Sequence, residues 1–418
     1  MKVTQLYTYP IKSLRGTPLP SAHLSRHGLP YDRHFMLLKV DHDASGQQTL
    51  RNMHVPHFPE MCLFTTELDT GIRSEEAGGT DDEGCSGGRV VVTYNPPAPT
   101  PTPTSSSSTP NSTTGSTTGM SLEIPLHPHT HALRNLAITM HRSPVVGYDM
   151  GEPYNSWFSA RLGYAVVLAY IGGERRAVLG SFAPAGTAGD SRDGCYYYWL
   201  WLVLVFMGGL LCLGYLAGSM TSPLTLALAL VIPSAAAAGI NWTRKPSQKK
   251  ETLTFSDCAP YLLISTTSVA NVSTRLPDGE EMDATKFRPN IVVSGAETAF
   301  EEDYWGELAI SPSGTRIEKS KKERDGLRLI LTANCVRCQS LNVDYATGRF
   351  GAGEAGAVLK KLMRDRRVDR GARYSPVFGR YGFLESEGDE REICVGDEVV
   401  VGRVNAERSV YDWPGLSN

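Results

Sequence analysis

The stretch Leu327-Arg328-Leu329-Ile330-Leu331-Thr332 runs into Asn334-Cys335-Val336-Arg337-Cys338, which contains the chain's CxxC pair. Its first part alternates and carries the Leu, Ile and Thr that are typical of a strand. Well upstream, Lys286-Phe287-Arg288-Pro289-Asn290 runs into another strand-like segment, Ile291-Val292-Val293. A thiolate and a guanidinium, each at a strand end, suit a site that binds a soft transition metal together with an anionic cofactor.

The CxxC pair, one feature among eight cysteines, leaves several interpretations open. A structural zinc site needs four ligands, usually from two such pairs or a histidine pair, and all ten histidines lie at or before His141. A thioredoxin-like CxxC opens a helix, whereas Gln339 to Asp344 shows no helical period. Two buried structural thiols are the simplest alternative. Without a signal peptide or a regular cysteine framework, the sequence predicts an intracellular, reduced protein.

Composition bounds the class of protein. The 418 residues carry 41 Lys and Arg against 44 Asp and Glu, a net charge of −3, so nothing indicates nucleic-acid binding. This length allows two or three domains. Strands predominate, beginning with Val3 to Tyr9 and Phe35 to Val40. Three segments are helix candidates: Pro153 to Leu162, Ser268 to Leu276 and Ala355 to Arg364.

Two unusual segments interrupt the chain. Residues 73–120 are of low complexity, and only Arg89 to Tyr94 breaks them with a strand. Such a composition cannot bury enough apolar surface to order itself, so we predict a disordered insertion. Residues 194–243 carry no charge, and Tyr196 to Gly218 is long enough to span a bilayer. The weaker stretch Leu224 to Trp242 would return as the second arm of a hairpin, and a helix pair buried in a soluble core is the alternative.

Gly351, Gly353 and Gly356 form a GxGxxG pattern ahead of the last helix candidate. A dinucleotide-binding fingerprint follows a buried strand directly and opens a βαβ unit. Here the preceding residues, Asp344 to Phe350, have the composition of a turn. The pattern therefore favours a flexible loop before a helix over a nucleotide site.

Taken together, the motifs resemble the MOSC family in its two-part form, which has an N-terminal β-barrel domain, and in particular its mitochondrial amidoxime-reducing members. The resemblance covers roughly residues 1–65, 122–183 and 253–405, and it rests on many short motifs in the expected order. These motifs are Tyr9-Pro10-Ile11-Lys12-Ser13, Asp32-Arg33, Asp257 to Leu263, Ser273-Thr274-Arg275, Phe287 to Asn290, Phe300 to Trp305, Cys335 to Cys338, Ser375 to Gly379 and Val395-Gly396-Asp397.

The resemblance implies an α+β protein, mostly β, built from two β-barrel-type domains. Residues 1–190 would be the N-terminal MOSC barrel, with the disordered insertion at about 73–120. Residues 194–243 would be the inserted apolar hairpin, and residues 251–418 the MOSC domain.

The resemblance also implies a molybdenum cofactor, a molybdenum–molybdopterin whose metal takes one protein thiolate. The matching thiolate is that of Cys338, which would be both metal ligand and catalytic residue. The other matching positions would contact the cofactor: Lys12, Ser13 and Arg33 from the N-terminal domain, and Ser268, Arg288 and Asn290 from the MOSC domain. A pterin phosphate needs cationic and hydroxyl donors, which agrees with these residue types. Without the family, Arg288 would be taken for a surface salt bridge and Lys12 for a solvated turn lysine.

The activity that the resemblance implies is reduction of N-hydroxylated compounds such as amidoximes. Electrons would come from a small b-type cytochrome and its flavin reductase, since the chain shows no convincing dinucleotide fingerprint and no second CxxC for an iron–sulfur cluster. One alternative is a protein that binds or passes on the molybdenum cofactor or its sulfur without reductase activity. A second is a membrane scaffold whose barrel has lost catalysis.

MOSC domains also occur at the C-terminus of the molybdenum cofactor sulfurases. Those enzymes carry a large pyridoxal-phosphate-dependent domain for which this chain has no room, so pyridoxal phosphate binding is an association of the wider family only.

The predicted location follows from the hairpin. Cofactor contacts come from both sides of the apolar stretch, so both halves must share one compartment. The stretch must therefore cross the membrane twice, or enter it and return on the same side. The basic run Arg244 to Lys250 would then place the active site on the cytosolic face of a membrane. The mitochondrial outer membrane and the endoplasmic reticulum both remain open.

Overall fold

The computed structural model describes residues 1–71, 88–97, 120–184, 251–277, 279–313, 326–385 and 391–417. Contacts group residues 1–184 and 252–418 into one compact unit and residues 185–251 into a second, and all described helices and strands belong to the first. The predicted hairpin at 194–243 and most of the predicted insertion at 73–120 lie outside the described residues. Each helix in the described ranges is too short or too polar to traverse a lipid bilayer.

The described part of the chain forms 22 strands and three α-helices. The strands before residue 180 are β1 (Lys2–Thr8), β2 (Thr17–Leu19), β3 (Ser21–Leu24), β4 (Phe35–His42), β5 (Gln48–Asn52), β6 (Phe64–Asp69), β7 (Arg89–Tyr94), β8 (Ser121–Pro125), β9 (Arg134–Met140), β10 (Ser143–Asp149), β11 (Val166–Tyr170) and β12 (Arg176–Ala177). The later strands are β13 (Thr252–Leu253), β14 (Tyr261–Ser265), β15 (Ile291–Ser294), β16 (Trp305–Ser311), β17 (Leu327–Val336), β18 (Val343–Asp344), β19 (Arg349–Phe350), β20 (Val377–Leu384), β21 (Arg391–Cys394) and β22 (Glu398–Val404). The helices are α1 (Tyr154–Leu162), α2 (Thr266–Ser273) and α3 (Val358–Leu362).

Seven strands close into a barrel in the order β15-β14-β20-β17-β16-β22-β1, and β1 pairs back onto β15. Six of them come from the second half of the chain, and the N-terminal strand β1 supplies the seventh. β1 runs antiparallel to β15, with Leu6 opposite Ile291. Side chains of alternating positions, among them Val3, Leu308 and Leu329, fill the barrel core. The expectation of a mostly β protein with a barrel is confirmed.

A five-stranded sheet with the order β5-β4-β11-β10-β9 is built by the N-terminal half. Strand β11 is buried throughout and β4 is buried along its first half, whereas β9 and β10 alternate between buried and more exposed positions. Asn52 Nδ2 on β5 donates to the Thr139 carbonyl on β9 at 2.9 Å, which joins the two edge strands. A three-stranded sheet of β6, β7 and β8 shares a core with it, including Phe64, Val92 and Phe158. This arrangement fits the expected N-terminal barrel.

The N-terminal motif contacts the second half of the chain directly after β1. The Tyr7 N–H donates to the Asn290 carbonyl at 3.0 Å, and the Asn290 N–H donates to the Leu262 carbonyl at 2.7 Å. Ile11 forms an isolated parallel bridge with Phe35. One end of the barrel therefore lies against the turn that carries Lys12 and Ser13.

The GxGxxG segment closes a tight loop. It follows β19, a two-residue strand that pairs only with β18 among the described strands. The Gly351 N–H donates to the Asn342 carbonyl at 2.8 Å. A Cβ on Gly356 would lie 1.8 Å from the Gly351 oxygen, so only glycine fits this approach. These glycines shape a loop rather than open a βαβ unit, in agreement with the interpretation from sequence.

Candidate active site

Strand β17 carries the CxxC pair out of the barrel. Cys335 is buried in β17, whereas Cys338 lies beyond the end of the strand, exposed, and starts a short 3₁₀-helix, Gln339–Asn342. Burial raises the pKa of the Cys335 thiol. Cys338 Sγ lies 3.3 Å from Ser340 Oγ. One cysteine is thus part of the core, and the other presents an accessible sulfur.

Arg337 joins the Cys338 segment to the segment that carries Arg288. Its Nη1 donates to the Phe287 carbonyl at 2.7 Å, and its Nε and Nη2 donate to the Phe378 carbonyl at 2.9 and 2.7 Å. The rings of Phe287 and Phe378 stack with centroids 3.8 Å apart. Since Cys338 follows Arg337 and Arg288 follows Phe287, this guanidinium holds the two predicted site residues in one place. Sequence reasoning missed this role, although Arg337 lies inside the CxxC pair.

Arg33 and Arg288 meet at the ring of Tyr9. Their Cζ atoms lie 4.5 and 4.4 Å from the ring centroid. Arg33 donates through Nη2 to the Arg288 carbonyl at 3.3 Å and through Nη1 to Asp32 at 2.5 Å, while Arg288 Nη1 donates to the Leu14 carbonyl at 2.7 Å. Both arginines have positive φ angles, 52° and 56°. This backbone strain, held by surrounding contacts, is typical of functional sites.

Two polar atoms at this meeting point have no hydrogen-bond partner among the described residues: Arg288 Nη2 and Tyr9 Oη. Burial raises the pKa of Tyr9 even against the opposing charges of Arg288 and Arg33, so the phenol keeps its proton and can donate. Buried polar groups are nearly always satisfied in native proteins. A cationic and a neutral donor side by side suit an anion with several acceptor oxygens, such as a phosphate.

Two more cationic side chains lie near a second tyrosine, Tyr345. Arg15 Cζ lies 4.9 Å and Lys286 Nζ 5.6 Å from the ring centroid of Tyr345. Burial raises the pKa of Tyr345, and its other electrostatic neighbours include Arg288 and Tyr9. We call the set of Arg15, Arg33, Lys286 and Arg288 the cation cluster. Sequence reasoning did not assign Arg15, Lys286 or Tyr345, because nothing along the chain indicates that these residues converge.

Lys12 is buried beside Asp257. Its Nζ donates to the Phe255 carbonyl at 3.0 Å and contacts the Asp257 carboxylate. Burial lowers the pKa of Lys12, although Asp257 opposes that shift. Burial alone would raise the pKa of the Asp257 carboxyl, but Lys12 and His141 hold it well below its usual range. The charge of Lys12 is therefore balanced within the protein.

A histidine pair adjoins this ion pair. His141 Nε2 lies 3.2 Å from Asp257 Oδ1, and the ring of His54 stacks on that of His141 with centroids 5.8 Å apart. Burial, reinforced by the charge of Lys12, lowers the pKa of His54 to about 3, so this ring is neutral. Sequence reasoning set the histidines aside for their distance along the chain from Cys335. The turn between β9 and β10 brings His141 to Asp257, a residue whose charge acts on the Cys335 thiol.

Asn290 and Ser13 flank the cation cluster in different ways. Asn290 is buried, and its Oδ1 accepts a hydrogen bond from Arg33 Nη1 at 3.1 Å, so its amide orients that guanidinium. Ser13 has a φ of 72°, and its Oγ makes a long hydrogen bond of 3.4 Å to the Met53 carbonyl. The hydroxyl of Ser13 is thus only weakly engaged within the protein.

Ser268 is engaged elsewhere. Its Oγ donates to Glu302 Oε2 at 2.8 Å and accepts from the Phe300 N–H at 2.8 Å. No described hydrogen bond joins it to the cation cluster or to Cys338. The structure therefore joins Arg33, Arg288 and Asn290 through direct contacts and links Cys338 to Arg288 through the Arg337–Phe287 hydrogen bond. Lys12 and Ser13 lie on one turn, and Ser268 belongs to a separate buried pair with Glu302.

The described ranges offer few metal ligands close to one another. They hold no set of three or more His, Cys, Asp or Glu side chains that could bind a metal ion. Cys338 can supply one thiolate ligand. The residues present fit a cofactor that brings its own metal ligands and an anionic group, because the chain offers one exposed thiol and, near Arg288, donors suited to phosphate.

Both parts of the chain match known families. Residues 1–87 match the MOSC N-terminal beta barrel domain, and residues 250–400 match the MOSC domain. The chain is a MOSC-domain protein. The resemblance drawn from its motifs is thereby confirmed.

Several curated relatives of this MOSC-domain protein are named as mitochondrial amidoxime-reducing components. Mitochondrial amidoxime-reducing component 1 of Homo sapiens is 34% identical over 154 residues, which is 36% of this chain and 39% of that protein. Mitochondrial amidoxime reducing component 2 of Rattus norvegicus is 38% identical over 146 residues, 35% of this chain and 37% of that protein. The chain thus spans less than two fifths of the length of these relatives. The matches support a function related to the molybdenum cofactor.

Proposed function

We propose that this MOSC-domain protein is a molybdenum cofactor-dependent oxidoreductase that reduces N-hydroxylated compounds such as amidoximes. The observation that carries the proposal is the exposed Cys338, linked through Arg337 and Phe287 to Arg288, where Arg288 Nη2 and Tyr9 Oη have no hydrogen-bond partner among the described residues. The names of the relatives support the reaction class, because both proteins are called amidoxime-reducing.

The residues divide by what they would do for a bound cofactor. Cys338 would ligate the metal as a thiolate, and coordination would itself secure loss of the thiol proton. Arg288 Nη2 and Tyr9 Oη would donate to the phosphate, with Ser13 as a further hydroxyl donor. When bound, the cofactor would supply the two-electron chemistry that removes oxygen from nitrogen.

Other residues would position this set. Asn290 orients Arg33 through the 3.1 Å hydrogen bond, and Arg337 fixes the Cys338 segment to the Phe287 carbonyl. Lys12, paired with Asp257, would hold the turn of Ser13 against the second half of the chain. Ser268 remains a predicted contact whose hydroxyl would first have to leave Glu302. Because Cys338 is exposed, a substrate could reach the metal from solvent.

Electrons would come from a separate protein, a small b-type haem protein that is reduced in turn by a flavin reductase. The GxGxxG segment closes a loop onto Asn342 and offers no strand-to-helix phosphate site, so we propose no nucleotide site in this segment. Association with a membrane through residues 194–243 and a site facing the cytosol are part of the same proposal.

Metal and pterin analysis of the purified protein, combined with benzamidoxime turnover, tests the proposal. We expect about one molybdenum per chain and turnover when reducing equivalents are supplied. Cys338→Ala should lose turnover, and Cys335→Ala is the matched control that leaves the accessible sulfur in place. Bound molybdenum and pterin without turnover would support the carrier alternative, and protein free of molybdenum after expression with molybdate would refute both.

A further inference from the structure

The surface around residues 360–374 is strongly basic in a chain that is otherwise slightly acidic. These fifteen residues hold seven Lys and Arg against two Asp, a net charge of +5, whereas the whole chain has −3. The segment starts inside α3 and ends just before β20. Nothing in the proposed cofactor site uses these charges.

The charges repeat with a period of three residues. Every third side chain is buried and fastens the segment, and every third side chain is an exposed arginine. The exposed arginines, which we call the arginine row, are Arg364, Arg367, Arg370 and Arg373, and the buried side chains between them are Arg366, Asp369 and Ala372.

The buried side chains hold the segment rigidly. Arg366 Nη2 donates to both carboxylate oxygens of Asp303, at 2.7 and 2.8 Å. Asp369 Oδ1 accepts from the backbone N–H groups of Gly371 and Tyr411 at 2.8 and 2.9 Å. A Cβ on Gly371 would lie 1.8 Å from the Tyr411 oxygen, so the chain passes too close there for any other residue. The arginine row is therefore displayed on a fixed backbone.

The arginine row runs up to the candidate active site. The Pro376 carbonyl accepts from the backbone N–H of Arg337 at 2.9 Å, and Cys338 is the next residue. Arg373 precedes Pro376 by three residues, so its Cα lies at most about 11 Å from that of Pro376. Tyr374, between them, is 70% exposed.

Most of this charge is unpaired within the described residues. Lys360, Arg364, Arg367 and Arg373 make no described ion pair, and Arg370 pairs with Glu407 where both side chains are about three-quarters exposed. Exposed pairs of that kind contribute little to stability and exchange readily for another partner. Arginine and tyrosine are also the residue types most enriched among energetically dominant contacts of protein interfaces.

We propose that the arginine row docks an acidic electron-donor protein beside Cys338. The inference rests on the proposed function, which requires an external source of electrons. A protein partner is favoured over an anionic lipid surface because polybasic lipid-binding clusters flank a transmembrane helix or lie on an amphipathic helix. The arginine row instead follows the end of α3, on a loop fixed by buried contacts. Complementary charge would raise the rate of association and orient the donor toward the metal.

Binding of the soluble, acidic haem domain of a cytochrome b5-type protein to the full chain tests this. The variant Arg364→Glu/Arg367→Glu/Arg373→Glu is compared with Lys2→Glu/Arg134→Glu/Arg403→Glu, which makes the same change in net charge at exposed positions of β1, β9 and β22. At low ionic strength we expect association with the first variant to be at least about tenfold slower than with wild type, and nearly unchanged with the control. Wild-type affinity should fall as salt rises.

Several outcomes would overturn the inference. Equal binding by wild type and the arginine-row variant would do so, and so would equal losses in both triple variants, which would indicate a net-charge effect. If the arginine-row variant lost binding to phosphatidylserine vesicles but kept binding to the cytochrome, the row would be assigned to a lipid surface instead. If the Glu variant unfolds, Arg364→Gln/Arg367→Gln/Arg373→Gln is tested in its place, with a smaller loss expected in the same direction.

A second measurement separates this inference from the proposed function. Benzamidoxime reduction driven by a small chemical reductant needs no docking, so both triple variants should match wild type. Failure of wild type in that assay would refute the reductase while the binding measurement still decides the docking surface.

Discussion

At the scale of single residues, burial distinguishes the two cysteines of the CxxC pair. Cys335 lies in the core with its thiol protonated, and Cys338 is exposed at the end of β17. Spacing alone treats the two as equivalent, so only the resemblance singled out Cys338 from the sequence. The alternation of β17 explains this difference in burial. Cys335 lies at a core-facing position of the strand, whereas Cys338 lies beyond its end.

Cys338→Ser should lose bound molybdenum and at least about 100-fold in turnover, because a hydroxyl replaces the soft thiolate ligand. Cys335→Ser should retain the cofactor and lose some stability, on the order of 1 kcal/mol, because it buries a polar hydroxyl in an apolar site. Metal analysis, turnover and unfolding of both variants give the comparison. Similar cofactor loss in both would show that the assignment of the ligand is wrong.

Tyr9→Phe removes a buried hydroxyl that has no partner among the described residues. In protein without cofactor, stability should hold or rise by up to about 1 kcal/mol, because an unsatisfied polar atom is deleted. Retention of the pterin should fall, because the phosphate loses a donor. The two effects have opposite signs, so melting of the cofactor-free protein and pterin content after dialysis are measured together. Lower stability with unchanged retention would assign Tyr9 a purely structural role.

The sequence supplied candidate charged residues for the site but not the contacts that arrange them. Lys12, Arg33 and Arg288 came from the resemblance. The role of Tyr9, on whose ring Arg33 and Arg288 meet, and that of Arg337 depend on contacts between parts of the chain more than twenty residues apart. No periodicity in one sequence encodes such partners, so these roles could only come from the folded chain.

At the scale of elements, local patterns were sufficient for most strands. The predicted segments 35–40, 89–94 and 327–332 lie in β4, β7 and β17, and α1 covers most of the segment 153–162. The segment 355–364 divides instead into a 3₁₀ turn and the short helix α3, because Gly356 packs tightly on Gly351 at its start. Alternation identifies a strand but not its neighbour, which is why the pairing of β1 with β15 was not foreseen.

The 3₁₀-helix Glu301–Tyr304 contains a carboxyl group that makes stability depend on pH. Burial raises the pKa of Glu302 to about 7 from an ordinary value of 4.5, although a hydrogen bond from Ser268 opposes the shift. The folded state thus binds a proton that the unfolded state releases. This contribution to stability is complete below pH 4.5 and is lost as pH rises through about 7.

As pH rises from 5 to 8, the free energy of unfolding of Glu302→Gln should therefore fall less than that of wild type. The difference between the two decreases should reach at most roughly 3 kcal/mol. Glutamine is neutral throughout this range and can still accept from Ser268. Denaturant unfolding of both proteins at one-unit steps of pH is the measurement. Parallel curves for the two proteins would mean that Glu302 does not take up a proton on folding.

At the scale of the whole molecule, the two ends of the sequence form one compact unit. Residues 1–184 and 252–418 belong together, and β1 completes the barrel of the second half. The site draws on both parts, since Arg33 contacts Arg288 and Lys12 contacts Asp257. Neither half could hold the proposed cofactor contacts by itself.

Removing residues 98–119 should leave this unit intact. The flanking strands remain paired without the segment, because Thr93 lies opposite Ser121 and the Tyr94 N–H donates to the Met120 carbonyl at 2.9 Å. A linker of a few Gly and Ser residues can therefore close the gap, and shortening a loop changes closure entropy by only about 0.6 kcal/mol per halving of its length. We expect the melting temperature and cofactor content to match those of the full chain.

The matched control removes residues 89–125 and so deletes β7 and β8 along with the same segment. It strips Val90, Val92 and Ile124 from the core shared by the two N-terminal sheets, and each fully buried aliphatic side chain contributes about 1.5–3 kcal/mol. This larger deletion should unfold the N-terminal half and abolish cofactor retention, because Lys12 and Arg33 lose their support. If the shorter deletion instead caused a comparable loss, residues 98–119 would have to pack against the core, contrary to what their Pro, Ser and Thr composition predicts.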